Sequence, residues 1–181
     1  MMTGSIHGRF QPFHNGHLGY LKAALEHTEN VYIGLTRVLT EPGIGGDVAP
    51  HRLCSESNPF TYFERCQIIE AVIAHENIDP GRIRIGPFPI EDPERLVEFW
   101  PLTAPCFTTL VDGWNVRKVE VLETLGYKVE VVDVPKSELV RSGTSIRAAM
   151  RQDDPIWRSW VPEGALSLLD EFIDRGVLGA R

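Results

Sequence analysis

The sequence predicts an α/β fold, a doubly wound parallel sheet with helices on both faces. Three observations lead there. Short runs rich in β-branched residues alternate with longer stretches of helical apolar spacing along the whole chain. Gly, Pro, Asn and Asp punctuate the joints between them. The chain has 181 residues, enough for a single domain, 1–181, with a substantial core. Strands separated by helices need crossover connections, and crossovers give parallel pairing with both faces covered.

The elements follow in order. A first short strand centres on Ser5–Ile6, and a helix runs from Gly16 to about His27. Val31-Tyr-Ile-Gly-Leu35 reads as a second strand. Residues 37–57 are rich in Gly, Pro and polar groups, a long loop of the kind that serves as a mobile lid. Asn58-Pro59-Phe60-Thr61 opens a helix to about His75, and Thr61 with Glu64 has capping-box spacing. Ile83–Ile85 is a third strand, Glu94 to about Leu102 a short helix, and Phe107–Val111 a fourth strand. Val116–Leu125 is a helix and Lys128–Val134 a fifth strand. From about Ser145 the chain is helical, over 145–151 and again over 163–175. In such a sheet, ligands bind beyond the carboxyl ends of the strands, near the point where strand order reverses.

The segment after the first strand carries the most chemistry. It reads Gly8-Arg9-Phe10-Gln11-Pro12-Phe13-His14-Asn15-Gly16-His17. Glycine permits close backbone approach to a ligand, and proline sets the turn. A helix start then presents unpaired N–H groups and a partial positive charge, which suit phosphate. Phe10 and Phe13 are candidate core anchors beside that turn. A second helix start, Ser142-Gly143-Thr144-Ser145-Ile146-Arg147, offers hydroxyls and a cation.

Composition excludes several classes. The formal net charge of −7 opposes broad nucleic-acid binding, which needs a basic surface. Arg9, His14, His17, Arg141 and Arg147 nonetheless supply a local basic set. The three cysteines, Cys54, Cys66 and Cys106, lack disulfide or metal spacing, and His51 with Cys54 completes no metal site, so a reduced cytoplasm fits. No apolar run reaches membrane-spanning length and no signal-peptide profile opens the chain. There is no G-x-x-x-x-G-K-[ST] loop and no G-x-S-x-G elbow. The oligomeric state, a homo-oligomer included, is left open.

Gly8, Phe10, Pro12, His14, Gly16 and His17 fill every fixed position of G-x-F-x-P-x-H-x-G-H. The chain thereby resembles the nucleotidylyltransferase superfamily, whose carboxy-terminal signature is similar to Ser142–Arg147. Within it, Gly8–His14, Asn58-Pro59-Phe60-Thr61 with Glu64-Arg65, Ser142–Arg147 and the stretch 154–171 are most similar to archaeal-type nicotinamide-nucleotide adenylyltransferases. The resemblance implies a Rossmann-like single domain. It implies transfer of a nucleoside monophosphate from a triphosphate to a phosphate-bearing small molecule, with release of pyrophosphate. ATP and nicotinamide mononucleotide would then give NAD, with Mg²⁺ carried by the triphosphate.

The roles implied are these. Gly8, Arg9, Phe10 and Gly16 line the phosphate site. His14 and His17 donate to the triphosphate, His17 at the reacting α-phosphate. Ser142, Thr144 and Ser145 hold the β- and γ-phosphates, and Arg147 supplies a planar cation for the leaving pyrophosphate. Asp112-Gly113-Trp114-Asn115, which follows a strand, faces the base or acceptor. Trp100 and Trp114 either stack on a ring or serve the fold. Ser57 stands where the family has a basic residue, and residues 90–100 do not reproduce its acidic–Asn–Trp stretch. A cytidylyltransferase, or another adenylyltransferase, acting on a different phosphate or phosphonate therefore stays open. So does a non-catalytic nucleotide-binding sensor.

Overall fold

The computed structural model describes residues 2–38, 55–109, 113–135 and 141–179, with the backbone alone for Ser55 and for 113–115. Five strands form one sheet in the order β3-β2-β1-β4-β5, every pair parallel. They are β1 (Thr3–Gly8), β2 (Asn30–Leu35), β3 (Ile83–Pro87), β4 (Cys106–Thr108) and β5 (Val129–Val131). The helices are α1 (Asn15–His27), α2 (Tyr62–His75), α3 (Pro93–Leu96), α4 (Gly113–Thr124), α5 (Gly143–Arg151) and α6 (Leu166–Asp174). This is the Rossmann-like α/β arrangement that the alternation predicts.

The step from β1 to β2 runs one way across the sheet and the step from β4 to β5 runs the other. Right-handed crossovers then put α1 and α4 on opposite faces. The order reverses between β1 and β4, so the carboxyl end of β1, at Gly8, lies at the switch point.

Contacts group the chain into two compact units. The first comprises residues 1–8, 19–39 and 81–135 and contains the sheet. Its apolar cluster joins Phe88, Ile90, Leu96, Trp100, Cys106, Leu122 and Tyr127. Tyr127 Oη donates to Trp100 O at 2.7 Å, and Tyr20 Oη donates to Phe107 O. Gly34 is required here by space, because a Cβ would come 2.6 Å from Phe88 Cβ. The second unit comprises 9–18, 40–80 and 136–181. It holds the loop after β1, α2, α5 and α6, with the 3₁₀ turns Pro155–Trp160 and Glu163–Ala165.

Several element boundaries differ from expectation: β5 is Val129–Val131 and not 128–134, β4 is Cys106–Thr108 and not 107–111, and α4 starts at Gly113 and not Val116. Two further differences have clear reasons. The short helix expected over 94–102 stops as α3 at Leu96. Beyond it the chain mixes i→i−3 bonds, Glu98 N to Arg95 O and Phe99 N to Leu96 O, with one i→i−4 bond, Trp100 N to Leu96 O, and Pro101 has no N–H to continue. The last helix begins at Leu166, because 163–165 form a 3₁₀ turn after Pro162. Thr61 caps α2 as its spacing predicts. Thr61 Oγ1 accepts from Glu64 N at 3.2 Å and the Glu64 carboxylate accepts from Thr61 N at 2.8 Å. Most of the expected 37–57 loop, residues 39–54 with His51, Arg52 and Cys54, lies outside the described residues.

Candidate active site

The second unit brings the segment Arg9–His17 together with the start of α5. The loop Arg9–His14 leads into α1, whose first turn is closed by His17 N and Leu18 N donating to His14 O at 2.8 and 3.0 Å. Phe10 sits at φ 51, a left-handed conformation disfavoured for a side chain with a Cβ. Its ring is buried, edge-on to His17 at 4.8 Å and 5.5 Å from Phe13. Burial of both phenylalanines helps hold that backbone. They are core anchors, as the sequence suggests.

The two histidines form one object. Their rings stack with centroids 3.6 Å apart and planes 22° apart. His14 N donates to His17 Nδ1 at 3.3 Å. A neutral His17 whose Nδ1 accepts must carry its proton on Nε2. The backbone thus selects the tautomer in which Nε2 is a donor. Burial pushes the His14 pKa down to about 4, so His14 is a neutral imidazole at neutral pH.

The loop is held by two distant segments, residues 60–65 and the helix α5. Gln11 pairs with the Phe60 backbone through both ends of its amide. Nε2 donates to Phe60 O at 2.8 Å and Oε1 accepts from Phe60 N at 3.0 Å. Arg65 of α2 donates from Nη1 to Arg9 O at 2.8 Å. Arg147 of α5 donates from Nη1 to Gln11 O at 2.7 Å and from Nη2 to Thr144 Oγ1 at 3.3 Å. Both arginines are 2% exposed. Two buried cations therefore grip the carbonyls of alternate loop residues, which aims positive charge at the loop while fixing its shape.

The start of α5 is built for the same place. Ser142 is its N-cap and accepts from Ser145 N at 3.3 Å, while Thr144 and Ser145 are exposed. Gly143 is needed because a Cβ would lie 2.9 Å from Gln11 O. Arg141 packs over the Trp160 ring at 5.2 Å. Asn15 Nδ2 donates to Ser159 O at 3.1 Å, tying the start of α1 to the turn 155–160.

The structure places Gly16 in the first turn of α1 and Gly8 at the end of β1. Trp100 goes to the core of the first unit: it is 5% exposed and stacks on Tyr32 at 5.0 Å. Of the two readings of Trp100, packing is the one its surroundings match. Gly113 opens α4, whereas Asp112 and the side chains of Trp114 and Asn115 lie outside the described residues. Gln11 and Arg65 are positioning residues that reading along the chain did not single out as site residues. The nearest signals were Gln11 between the fixed Phe10 and Pro12, and the Glu64-Arg65 pair. Among the described residues no three His, Cys, Asp or Glu side chains group as a metal site. The donors gathered here, N–H groups, hydroxyls and guanidinium, suit an anion.

Known proteins resemble this chain along most of its length. The family model described as cytidylyltransferase-like matches residues 6–149. The phosphonoformate cytidylyltransferase of Streptomyces viridochromogenes is 34% identical over 93% of this chain and 91% of its own. The nicotinamide-nucleotide adenylyltransferase of Ignicoccus hospitalis is 32% identical over 94% of this chain and 92% of its own. Among solved structures, a bifunctional NMN adenylyltransferase/ADP ribose pyrophosphatase from Francisella tularensis superposes with a TM-score of 0.73 at 20% identity. That match covers 98% of this chain and 51% of the longer protein, and it shows a shared fold.

Proposed function

Because the chain belongs to the cytidylyltransferase-like family, we propose that it moves a nucleoside monophosphate from a triphosphate onto a phosphate-bearing acceptor. The first reading is ATP with nicotinamide mononucleotide, giving NAD and pyrophosphate. An oxygen of the acceptor phosphate attacks the α-phosphorus. The bond from that phosphorus to the bridging oxygen of the β-phosphate breaks, and pyrophosphate leaves. Negative charge shifts onto the α-phosphoryl oxygens and the leaving group. Catalysis of this kind is positioning and charge stabilisation.

The observation that carries the reading is the stacked His14–His17 pair on a loop gripped by Arg65 and Arg147. In our assignment His17 Nε2–H donates to the α-phosphate, and neutral His14 donates beside it. Thr144 and Ser145 receive the β- and γ-phosphates at the start of α5. Arg147 keeps the loop closed and places its charge next to the leaving pyrophosphate. Mg²⁺ enters as part of the triphosphate substrate. Trp114 or its neighbour Asp112 faces the base or acceptor at the head of α4.

A second reading, CTP with a phosphonate acceptor, is favoured by one finding. The phosphonoformate cytidylyltransferase is more similar to this chain, at 34%, than the adenylyltransferase of Ignicoccus hospitalis, at 32%. Cys66 and Cys106 are free, which supports a reducing compartment, the cytoplasm. Among the described residues no helix is long and apolar enough to cross a membrane. The test is a pyrophosphate-release screen of four triphosphates against nicotinamide mononucleotide, phosphonoformate and other phosphate acceptors. NAD formation from ATP and nicotinamide mononucleotide supports the first reading. Turnover with CTP and a phosphonate replaces it with the second. Binding without turnover of any pair leaves a nucleotide sensor.

A further inference from the structure

One turn of the second unit, the 3₁₀ segment Pro155–Trp160, carries two arginine–tryptophan stacks. Arg158 lies over the Trp157 ring at 4.7 Å, and Arg141 lies over the Trp160 ring at 5.2 Å. Their charges are met differently. The Asp170 carboxylate answers the Arg158 guanidinium, with Nη1 2.9 Å from Oδ2. Arg65, Arg147, Arg151 and Arg175 of the same unit also end on carbonyls or carboxylates. Arg141 is exposed, and among the described residues its guanidinium meets the face of Trp160 and no carboxylate.

The ring beneath Arg141 is held in place. Asp154 opens the turn by accepting from Ile156 N at 3.0 Å, and Ser159 Oγ donates to Ile156 O at 2.7 Å. Asn15 Nδ2, in the first turn of α1, donates to Ser159 O at 3.1 Å. A guanidinium stacked on a fixed, half-buried ring loses much of its freedom before any ligand arrives. Stacking occupies its face, and its N–H donors lie in the plane and stay available.

Arg141 directly precedes Ser142, the N-cap of α5. That end of a helix carries a partial positive charge, so a cation there is unfavourable in the free protein. The chain has a net charge of −7, so carboxylates are not scarce, yet none of the described ones offsets this arginine. A polyphosphate in front of Ser142–Ser145 reverses the sign, because cation and helix end then attract the same group.

We propose that Arg141, held on Trp160, is a further binding residue for the triphosphate, its in-plane N–H groups donating to the outer, β- and γ-, phosphates. Trp160 is its positioning residue. The pair reads the polyphosphate tail and is indifferent to the base. The inference rests on the nucleotidyl-transfer reading above and deepens it.

The experiment is isothermal titration of wild type, Arg141→Gln, Arg141→Lys, Trp160→Leu and the double variant Arg141→Gln/Trp160→Leu. The ligands are ATP, CTP and inorganic tripolyphosphate, each with Mg²⁺, and AMP and CMP. Thermal melting of the free proteins and pyrophosphate release are recorded alongside. In Arg141→Gln the Kd for triphosphate and tripolyphosphate should rise roughly tenfold, the size of one lost charge-assisted hydrogen bond, while the monophosphate Kd stays within about twofold. Arg141→Lys keeps the charge and should recover part of the loss. Free Arg141→Gln should melt no lower than wild type, because it removes a cation from the positive end of a helix. Trp160→Leu should lose less, and the double variant should bind triphosphate no more weakly than Arg141→Gln alone, since the ring acts through the arginine. An unchanged triphosphate Kd in Arg141→Gln overturns the proposal. So does an equal loss toward triphosphate and monophosphate with a lowered melting temperature. Additive losses in the double variant overturn the positioning role of Trp160. Wild type that binds triphosphate but releases no pyrophosphate with any acceptor would sink the transfer reading alone. Wild-type turnover with an unaffected Arg141→Gln would sink the Arg141 assignment alone.

Discussion

Arg147 Nη1 donates to the main-chain carbonyl of Gln11 at 2.7 Å, across 136 residues of sequence. The same guanidinium reaches Thr144 Oγ1 through Nη2. The cation at this signature position is therefore a structural clamp on the Arg9–His14 loop, and in the proposed reaction it is also a charge beside the leaving group. The planar fork is what allows both contacts. Arg147→Lys keeps the charge but loses the fork, and Lys is not an equivalent donor at a two-point site. We expect kcat to fall by at least about tenfold and stability by roughly 1.5–3 kcal/mol, the worth of a hydrogen bond to a charged group. Stopped assays and urea titrations of the variant check the two effects separately.

His17 should carry more of the rate than of the binding. Its Nδ1 is engaged by His14 N, which leaves Nε2 as the donor. His17→Ala should lower kcat by roughly 10²–10³, the range for losing one donor to developing charge. The triphosphate Kd should move far less. Isothermal titration with a non-hydrolysable triphosphate, set beside turnover, is the measurement; normal turnover at saturating substrate would remove His17 from the chemistry.

The depressed pKa of His14 makes stability depend on pH. Burial holds it at about 4, below the ordinary 6.5. Between those values the unfolded chain binds the proton and the folded chain does not. Stability therefore rises with pH across this window, is fully present above about 6.5, and is lost as pH falls toward 4. The slope contributed by one such group approaches ~1.4 kcal/mol per pH unit. His7 is shifted in the same direction, so the wild-type curve contains both. The difference between wild type and His14→Gln, followed by chemical denaturation from pH 4 to 7, isolates the His14 part. A parallel pair of curves would contradict it.

Gly143→Ala tests how closely α5 meets the loop. The added methyl would lie 2.9 Å from Gln11 O and 3.2 Å from Arg147 Nη1. One of those neighbours is backbone and cannot swing aside. Overpacking of this kind costs about 1–3 kcal/mol. We expect a lower melting temperature together with a raised triphosphate KM, since the displaced loop is the proposed phosphate site. A variant that melts and binds like wild type would mean that the two segments separate more easily than their contacts indicate.

The two tryptophans should behave differently. Trp100→Ala removes a core ring stacked on Tyr32 and should cost about 3–5 kcal/mol of stability. Trp114→Ala should instead weaken base or acceptor binding by roughly 1–3 kcal/mol, by analogy with base–aromatic stacking. Melting curves and substrate titrations of the pair distinguish them. Equal loss of stability in both would assign Trp114 to the fold.

Local order along the chain was enough to read the sheet, the turn after β1 and both helix starts. Strand and helix periods, the Thr61–Glu64 box and the Gly8–His17 signature depend on neighbours a few residues away, and such rules operate within a segment. The resemblance carried by those same residues pointed to the family and to nucleotidyl transfer. What only the tertiary structure decided involves pairs far apart in sequence. Gln11 meets Phe60, Arg65 meets Arg9, and Arg147 meets Gln11. No periodicity encodes such pairings, because they arise from how packed elements bring distant backbone together. Trp100 shows the same limit from the other side. A tryptophan in the segment between α3 and β4 reads identically whether it faces a ligand or Tyr32, and only the burial of its ring separates the two. His7 likewise passes as one more residue of a short strand. Only the fold shows that its ring lies flat on Phe88, with centroids 4.4 Å apart.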